Sequence, residues 1–88
     1  MSLSEIYIVR VQRLLADLSL ALTIDEQREV THLADHGEPA EALRTLAWIV
    51  VDGDRRIPAE AIAAIRELTA GLIDESDLPD NLDSYASS

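Results

Sequence analysis

The feature that most constrains the fold is the stretch 35–51, because its second half is apolar on every side of a helix. Gly37 fits the left-handed position just past a helix end, and Pro39 suits the first turn of the helix that follows. Residues 47–51 include no polar side chain, so apolar groups point in all directions around the helix axis. Such a helix must be covered on most sides. We therefore expect residues 39–51 to form the central helix of the fold.

The first helix is expected over residues 3–20, where apolar residues recur at helical spacing. The run 7–11 is also rich in β-favouring residues, which makes a strand the competing interpretation. No turn residue interrupts residues 12–22, and this continuity favours the helix. The expected buried stripe consists of Leu3, Tyr7, Val11, Leu14 and Leu18.

Two more helices complete the expected bundle. Thr23 and Glu26 form a capping box that starts the second helix. Pro58 starts the fourth helix, over residues 58–73. The buried stripes of these two helices are expected to include the large residues Ile24 and Leu72. The predicted fold class is all-α, a compact four-helix bundle made by a single domain over residues 1–73.

Residues 74–88 change to an acidic and polar composition, which is typical of a disordered tail. However, Leu78, Leu82 and Tyr85 have the spacing i, i+4, i+7, and Pro79 lies where a helix can start. Two interpretations therefore stay open for this acidic tail. It is either disordered or a short fifth helix docked on the bundle.

The net charge of −10 on 88 residues excludes several classes of partner. Nucleic-acid binding requires Lys and Arg to neutralise phosphates, and anionic membrane surfaces repel an acidic protein. Two segments hold most of the charge: residues 23–38 have five acids and one Arg, a net of −4, and residues 74–88 have five acids and no base, a net of −5. Neither nucleic acid nor membrane is an expected partner, whereas a basic protein is.

The chain contains no cysteine, and its first residues lack the basic start of a signal peptide. No apolar run reaches the roughly 20 residues that a membrane-spanning helix requires. These observations predict a cytoplasmic protein.

The sequence contains only weak signals for a catalytic or metal site. His32 and His36 share a helix face beside Asp35, but a zinc site requires a third ligand, so two surface histidines are the favoured interpretation. The turn around Asp52 and Asp54 lacks the glycine and the final glutamate of an EF-hand loop. The chain has no cysteine or lysine, and none of its serines lies in the sequence setting of a catalytic nucleophile. The chain is therefore expected to have no enzymatic activity, metal or cofactor.

Trp48 is the only indole in the chain and lies about half a turn from the main apolar stripe of its helix. Burial in the core is the favoured interpretation. The alternative is a contact with a partner, because Trp is enriched at the energetic centres of interfaces.

The pattern within residues 22–73 resembles the MafI-type immunity proteins, small acidic helical partners of bacterial polymorphic toxins. The resemblance rests on Leu-Thr-Ile-Asp-Glu-Gln-Arg-Glu-Val at 22–30, on His36-Gly37-Glu38, on Glu41-Ala42-Leu43 with Leu46, and on the helix that begins at Pro58. The adjacent arginines 55 and 56 and the acidic tail are not part of that pattern.

The resemblance implies an immunity protein that binds and neutralises a cognate bacterial toxin. Many such toxins are nucleases with basic clefts, which an acidic protein can occupy as a phosphate mimic. Under this hypothesis, the residues expected to face the toxin are Asp25, Glu26, Glu29, Asp35, Glu38 and Glu41, followed by Asp52 and Asp54.

The alternative function is a small helical assembly module, a homodimer without a toxin partner. Its interface is expected to include Trp48, Leu78 and Leu82. Both a monomer and a homodimer remain compatible with the sequence.

Overall fold

A computed structural model describes residues 2–87 of the chain, in which four α-helices form a small bundle. The helices are α1 (Leu3–Asp17), α2 (Ile24–Asp35), α3 (Pro39–Asp52) and α4 (Ala59–Thr69). Short 3₁₀ turns cover Ser19–Ala21, Glu75–Asp77 and Leu82–Tyr85, and two-residue strands lie at Ile57–Pro58 (β1) and Ala86–Ser87 (β2). The prediction of an all-α bundle is confirmed. Across the described residues, no helix combines the length and the hydrophobicity needed to cross a bilayer.

The first three helices begin where the sequence signals place them. Ser2 caps α1 by accepting a hydrogen bond from the Glu5 backbone N–H, and Thr23 and Glu26 form the predicted capping box of α2. Pro39 occupies the first turn of α3.

The ends of two helices differ from the predicted ranges. The first helix stops at Asp17, and the chain continues as a 3₁₀ turn instead of extending the α-helix to residue 20. The fourth helix covers Ala59–Thr69 instead of 58–73, because Pro58 belongs to β1 and Gly71 adopts a left-handed φ of 79° that no α-helix contains.

The core surrounds α3, which contacts the three other helices and the turn Leu82–Tyr85. Five residues on the inner side of α3 are buried: Ala42, Leu43, Leu46, Ala47 and Val50. The prediction that Trp48 also lies in the core is wrong, since 39% of this residue is exposed. Trp48 is on the side of α3 opposite Leu46 and Val50, as its spacing from them along the helix requires.

Three residues predicted on the buried stripes are instead exposed, namely Leu3, Ile24 and Leu72. Leu3 and Ile24 are the first residues of α1 and α2, and Leu72 follows the end of α4. Helical spacing identified the correct side of each helix, but the bundle does not extend far enough to cover these terminal positions.

Residues 74–87 pack against the bundle, so the disordered alternative for this segment does not describe the structure. Leu78 and Leu82 are buried in the same core as the helices, and a 3₁₀ turn replaces the expected α-helical turn. β2 pairs with β1 in parallel, with Ala86 opposite Ile57. Burial of both leucines also removes them from the surface of the homodimer proposed from the sequence. That assignment is therefore corrected.

One hydrogen bond connects the first and last helices. The hydroxyl of Tyr7 donates to the backbone oxygen of Leu68 over 2.6 Å, and burial raises the pKa of Tyr7. Tyr7→Phe should therefore lower the free energy of unfolding by about 1 kcal/mol, because the carbonyl loses its partner while the ring stays packed. Urea denaturation measures this difference. Tyr85→Phe is the matched control, as its hydroxyl donates no hydrogen bond among residues 2–87.

Candidate functional site

The candidate site is the acidic surface of the helical hairpin formed by α2 and α3. These helices are joined by the short loop 36–38 and pack along each other, which makes them antiparallel. Asp35, Glu38 and Glu41 consequently lie near the loop, whereas Asp25 lies toward the open end.

Glu26 is held within the fold. Its carboxylate accepts a hydrogen bond from the backbone N–H of Thr23 at 2.8 Å, and Oε2 accepts another from Arg55 at 2.9 Å. Arg55 also donates to the backbone oxygen of Ala21 at 3.1 Å. This ion pair fastens the start of α2 to the turn that follows α3, so Glu26 has a structural role.

The arginine of this pair has little space. A Cβ at Gly53 would lie 2.7 Å from Nε of Arg55 and 3.0 Å from the backbone oxygen of Ile49. Glycine at position 53 therefore leaves room for the guanidinium to reach Glu26. At the next position, Asp54 adopts a left-handed φ of 51°, a conformation that Asp tolerates better than most residues.

The ion pair predicts a specific pH dependence of stability. The hydrogen bond from Arg55, followed by that from the Thr23 backbone, lowers the pKa of Glu26 from 4.5 to about 2. Since the folded-state pKa is below the unfolded one, the stabilisation is complete above about pH 4.5 and is lost as the pH falls toward 2. Urea denaturation between about pH 6 and about pH 2.5 should show this loss in the wild type.

Glu26→Gln should flatten that part of the pH profile, because residue 26 no longer titrates. Glu29→Gln is the matched control, since it makes the same chemical change on an exposed side chain of the same helix that has no ion pair among residues 2–87. Equal slopes for both variants would contradict the role assigned to the Glu26–Arg55 pair.

Glu41 also has an ionic partner. Its carboxylate lies 2.8 Å from Nε of Arg44, three residues later on the same helix. Both side chains are partly exposed, and an ion pair within reach of solvent is readily exchanged for a contact with another protein.

The six other predicted site residues are exposed and have no ionic partner within the described part of the chain. We call them the unpaired acids: Asp25, Glu29, Asp35, Glu38, Asp52 and Asp54.

No family model, curated protein or solved structure matches this chain. The site must therefore be interpreted from its own geometry.

The unpaired acids form two groups at opposite ends of the hairpin, with one further acid between them. The contact between Glu26 and Arg55 brings the start of α2 to the end of α3, so Asp25 lies at the same end of the hairpin as Asp52 and Asp54. Asp35 and Glu38 lie at the loop end, and Glu29 lies on α2 between the two groups. The structure thus distributes the acids along the length of the hairpin.

His32 and His36 lie on the exposed side of α2 that also includes Asp25 and Glu29, as their spacing requires. The two rings are in contact, with centroids 4.0 Å apart, and Nδ1 of His36 is 2.9 Å from the backbone oxygen of His32. Among residues 2–87, no group of three or more His, Asp or Glu side chains is arranged to hold a metal ion.

Trp48 borders the acidic surface, and its exposure is a feature that the sequence did not reveal. Glu41, Trp48 and Asp52 have the spacing i, i+7, i+11 and so lie on one side of α3. The indole N–H donates to the backbone oxygen of Asp77 at 2.8 Å, and 39% of the residue is exposed. An exposed aromatic ring beside carboxylates is suited to contact a cationic side chain.

A groove between α1 and α4 has a volume of about 350 Å³. Its floor is apolar and its titratable lining residues are Arg10, Arg13, Asp17 and Glu60. Neither histidine nor serine lines it. This residue set contains no pairing of nucleophile and general base, and we assign no chemistry to the groove.

Proposed function

We propose that this chain is an immunity protein, a non-enzymatic cytoplasmic inhibitor that binds a cognate bacterial toxin through the acidic surface of its α2–α3 hairpin. The observation that carries the proposal is the set of unpaired acids, which are exposed along one hairpin in a chain of net charge −10. The resemblance of residues 22–73 to MafI-type immunity proteins supports the same function.

Unpaired carboxylates are the part of the acidic surface that acts at a distance. An acid paired with arginine has little net field, whereas an exposed unpaired acid attracts a basic partner and accelerates its approach. The proposed interface therefore consists mainly of the unpaired acids. Glu41 contributes after it exchanges Arg44 for a group on the toxin, and Glu26 remains a structural residue of the hairpin.

The partner that fits this surface has a basic cleft, as nucleases do. Carboxylates spread along a hairpin can occupy positions that a phosphate backbone otherwise takes, and Trp48 offers its ring to an arginine at the border of the site. Inhibition then results from blocking the cleft, and the chain requires no catalytic group of its own.

Rescue of growth tests this function. Affinity-tagged chain captures binding proteins from a lysate of its source organism, and each captured protein is expressed in a bacterial host with and without the chain. We expect one captured protein to arrest growth when it is expressed alone and to be harmless when it is co-expressed. If no captured protein is toxic, or if the chain relieves no toxicity, the proposed function is wrong.

A further inference from the structure

The outward side of α1 has an apolar centre between two charged residues. The residues on this side are Ser2, Glu5, Ile6, Val9, Arg13 and Ala16, and all of them are exposed. We call this set the outer face of α1. It lies opposite the buried residues Val11, Leu14 and Leu15, and its centre is apolar because Ile6 and Val9 are both 42% exposed.

We propose that the outer face of α1 binds the same face of a second copy of this chain, forming an antiparallel and twofold-symmetric homodimer. This inference is independent of the proposed function. The twofold axis passes near Val9, so that Val9 contacts its counterpart and Ile6 lies beside it.

Charge complementarity identifies the second copy as the occupant. Glu5 precedes Val9 by four residues and Arg13 follows it by four. In an antiparallel pair centred on Val9, Glu5 of each copy therefore lies opposite Arg13 of the other, and symmetry makes this pair twice. Neither residue has an ionic partner within residues 2–87, so both are available for the contact.

Small residues lie at the two ends of the face. Ser2 precedes Val9 by seven residues and Ala16 follows it by seven, so these residues also meet in the antiparallel pair. Small side chains at these positions allow the two helices to approach closely at both ends of the contact.

The overall charge favours this side of the molecule over the others. α1 contains Glu5, Asp17, Arg10 and Arg13, so it is neutral, whereas the chain as a whole has a charge of −10. Two such acidic chains repel each other least where they meet through a neutral helix. The unpaired acids of α2 and α3 remain outside this contact.

The contact is small, so the dimer is weak. A helix of 15 residues is about 22 Å long. One helix packed against another buries less than the roughly 1,200 Å² of a standard stable interface. We expect dissociation constants in the micromolar range. Salt should strengthen the dimer, because it screens the long-range repulsion between two chains of charge −10 more than the short-range attraction of the two Glu5–Arg13 pairs.

Analytical ultracentrifugation of the full chain from about 10 µM to about 1 mM tests the proposal in a range suited to weak interfaces. Wild type should change from monomer to dimer, with more dimer at 0.5 M than at 0.05 M NaCl. Val9→Glu places two like charges on the axis and should raise the dissociation constant at least about tenfold. Leu20→Glu, at a fully exposed leucine outside the outer face, should leave dimerisation unchanged.

A charge exchange tests the antiparallel register. Arg13→Glu should weaken the dimer because residue 13 then faces Glu5 of the second copy, and Glu5→Arg should weaken it for the corresponding reason. The double variant Glu5→Arg/Arg13→Glu should recover the wild-type dissociation constant within about threefold. Circular dichroism checks that each variant keeps its helices.

Three results would overturn the proposal. One is a chain that stays monomeric at every concentration up to about 1 mM. Another is a dimer that persists in Val9→Glu but dissociates in Trp48→Ala, which places the contact on the acidic side. The third is a double variant no stronger than either single variant, which excludes the antiparallel pairing.

Discussion

Leu82→Ala is expected to lower the free energy of unfolding by about 2–5 kcal/mol, the usual cost of removing a buried leucine side chain. Leu82 is completely buried and lies in a turn that contacts both α3 and α4. The substitution leaves a cavity between these helices and the C-terminal segment. For a domain of about this size, such a loss lowers Tm by roughly 10 °C or more. Thermal unfolding followed by circular dichroism measures it.

Leu72→Ala is the matched control for this effect, because Leu72 is a leucine of the same region but is 62% exposed. Its substitution should change stability by no more than about 0.5 kcal/mol. Equal costs for the two variants would mean that residues 74–87 do not pack on the bundle in solution.

The fluorescence of Trp48 distinguishes local release of the C-terminal segment from global weakening. Its indole N–H donates to the backbone oxygen of Asp77, so release of this segment exposes more of the ring and shifts its emission to longer wavelength. A red shift in Leu82→Ala below the melting temperature indicates local release. An unchanged spectrum together with a lower Tm indicates that the segment and the helices unfold as one unit.

Local signals explain which parts of the fold could be predicted from the sequence. The capping box of Thr23 and Glu26, and Gly37 followed by Pro39, identify the start of α2 and the α2–α3 loop from neighbouring residues alone. The pairing of β1 with β2 has no such signal. Two residues are too few to show the alternation of a strand, and the pairing depends on where the docked C-terminal segment ends.

The candidate site shows the same division between local and distant causes. The capping box identified the contact between Glu26 and Thr23, but the partner Arg55 is 29 residues away in the chain. The exposure of Trp48 could not be inferred because residues 47–51 include no polar side chain that marks the solvent side. The charge of each acid could be predicted, whereas the pairing of Glu26 with Arg55 depends on how the helices pack.

If the chain is the immunity protein proposed above, reversal of three unpaired acids on the hairpin should strongly slow its binding to the toxin. In Glu29→Arg/Asp35→Arg/Glu38→Arg, the attractive field of the hairpin becomes repulsive to a basic partner. The association rate constant should fall by about 10- to 1,000-fold at low ionic strength, because electrostatic steering contributes that range to association rates. Glu26 is excluded from the set, since its reversal would break the capping box and the pair with Arg55. Stopped-flow mixing with the captured toxin measures the rate.

The control variant Asp17→Arg/Glu75→Arg/Asp80→Arg changes the net charge by the same amount at exposed acids outside the α2–α3 hairpin. If the site is local, the control should keep most of the wild-type rate, and the difference between the two variants should shrink at 0.5 M salt, where charges are screened over a few ångströms. Equal rates for the two variants would mean that only the total charge matters. If the association rate constant falls only in the control variant, the interface lies on the C-terminal segment and the end of α1 and not on the hairpin.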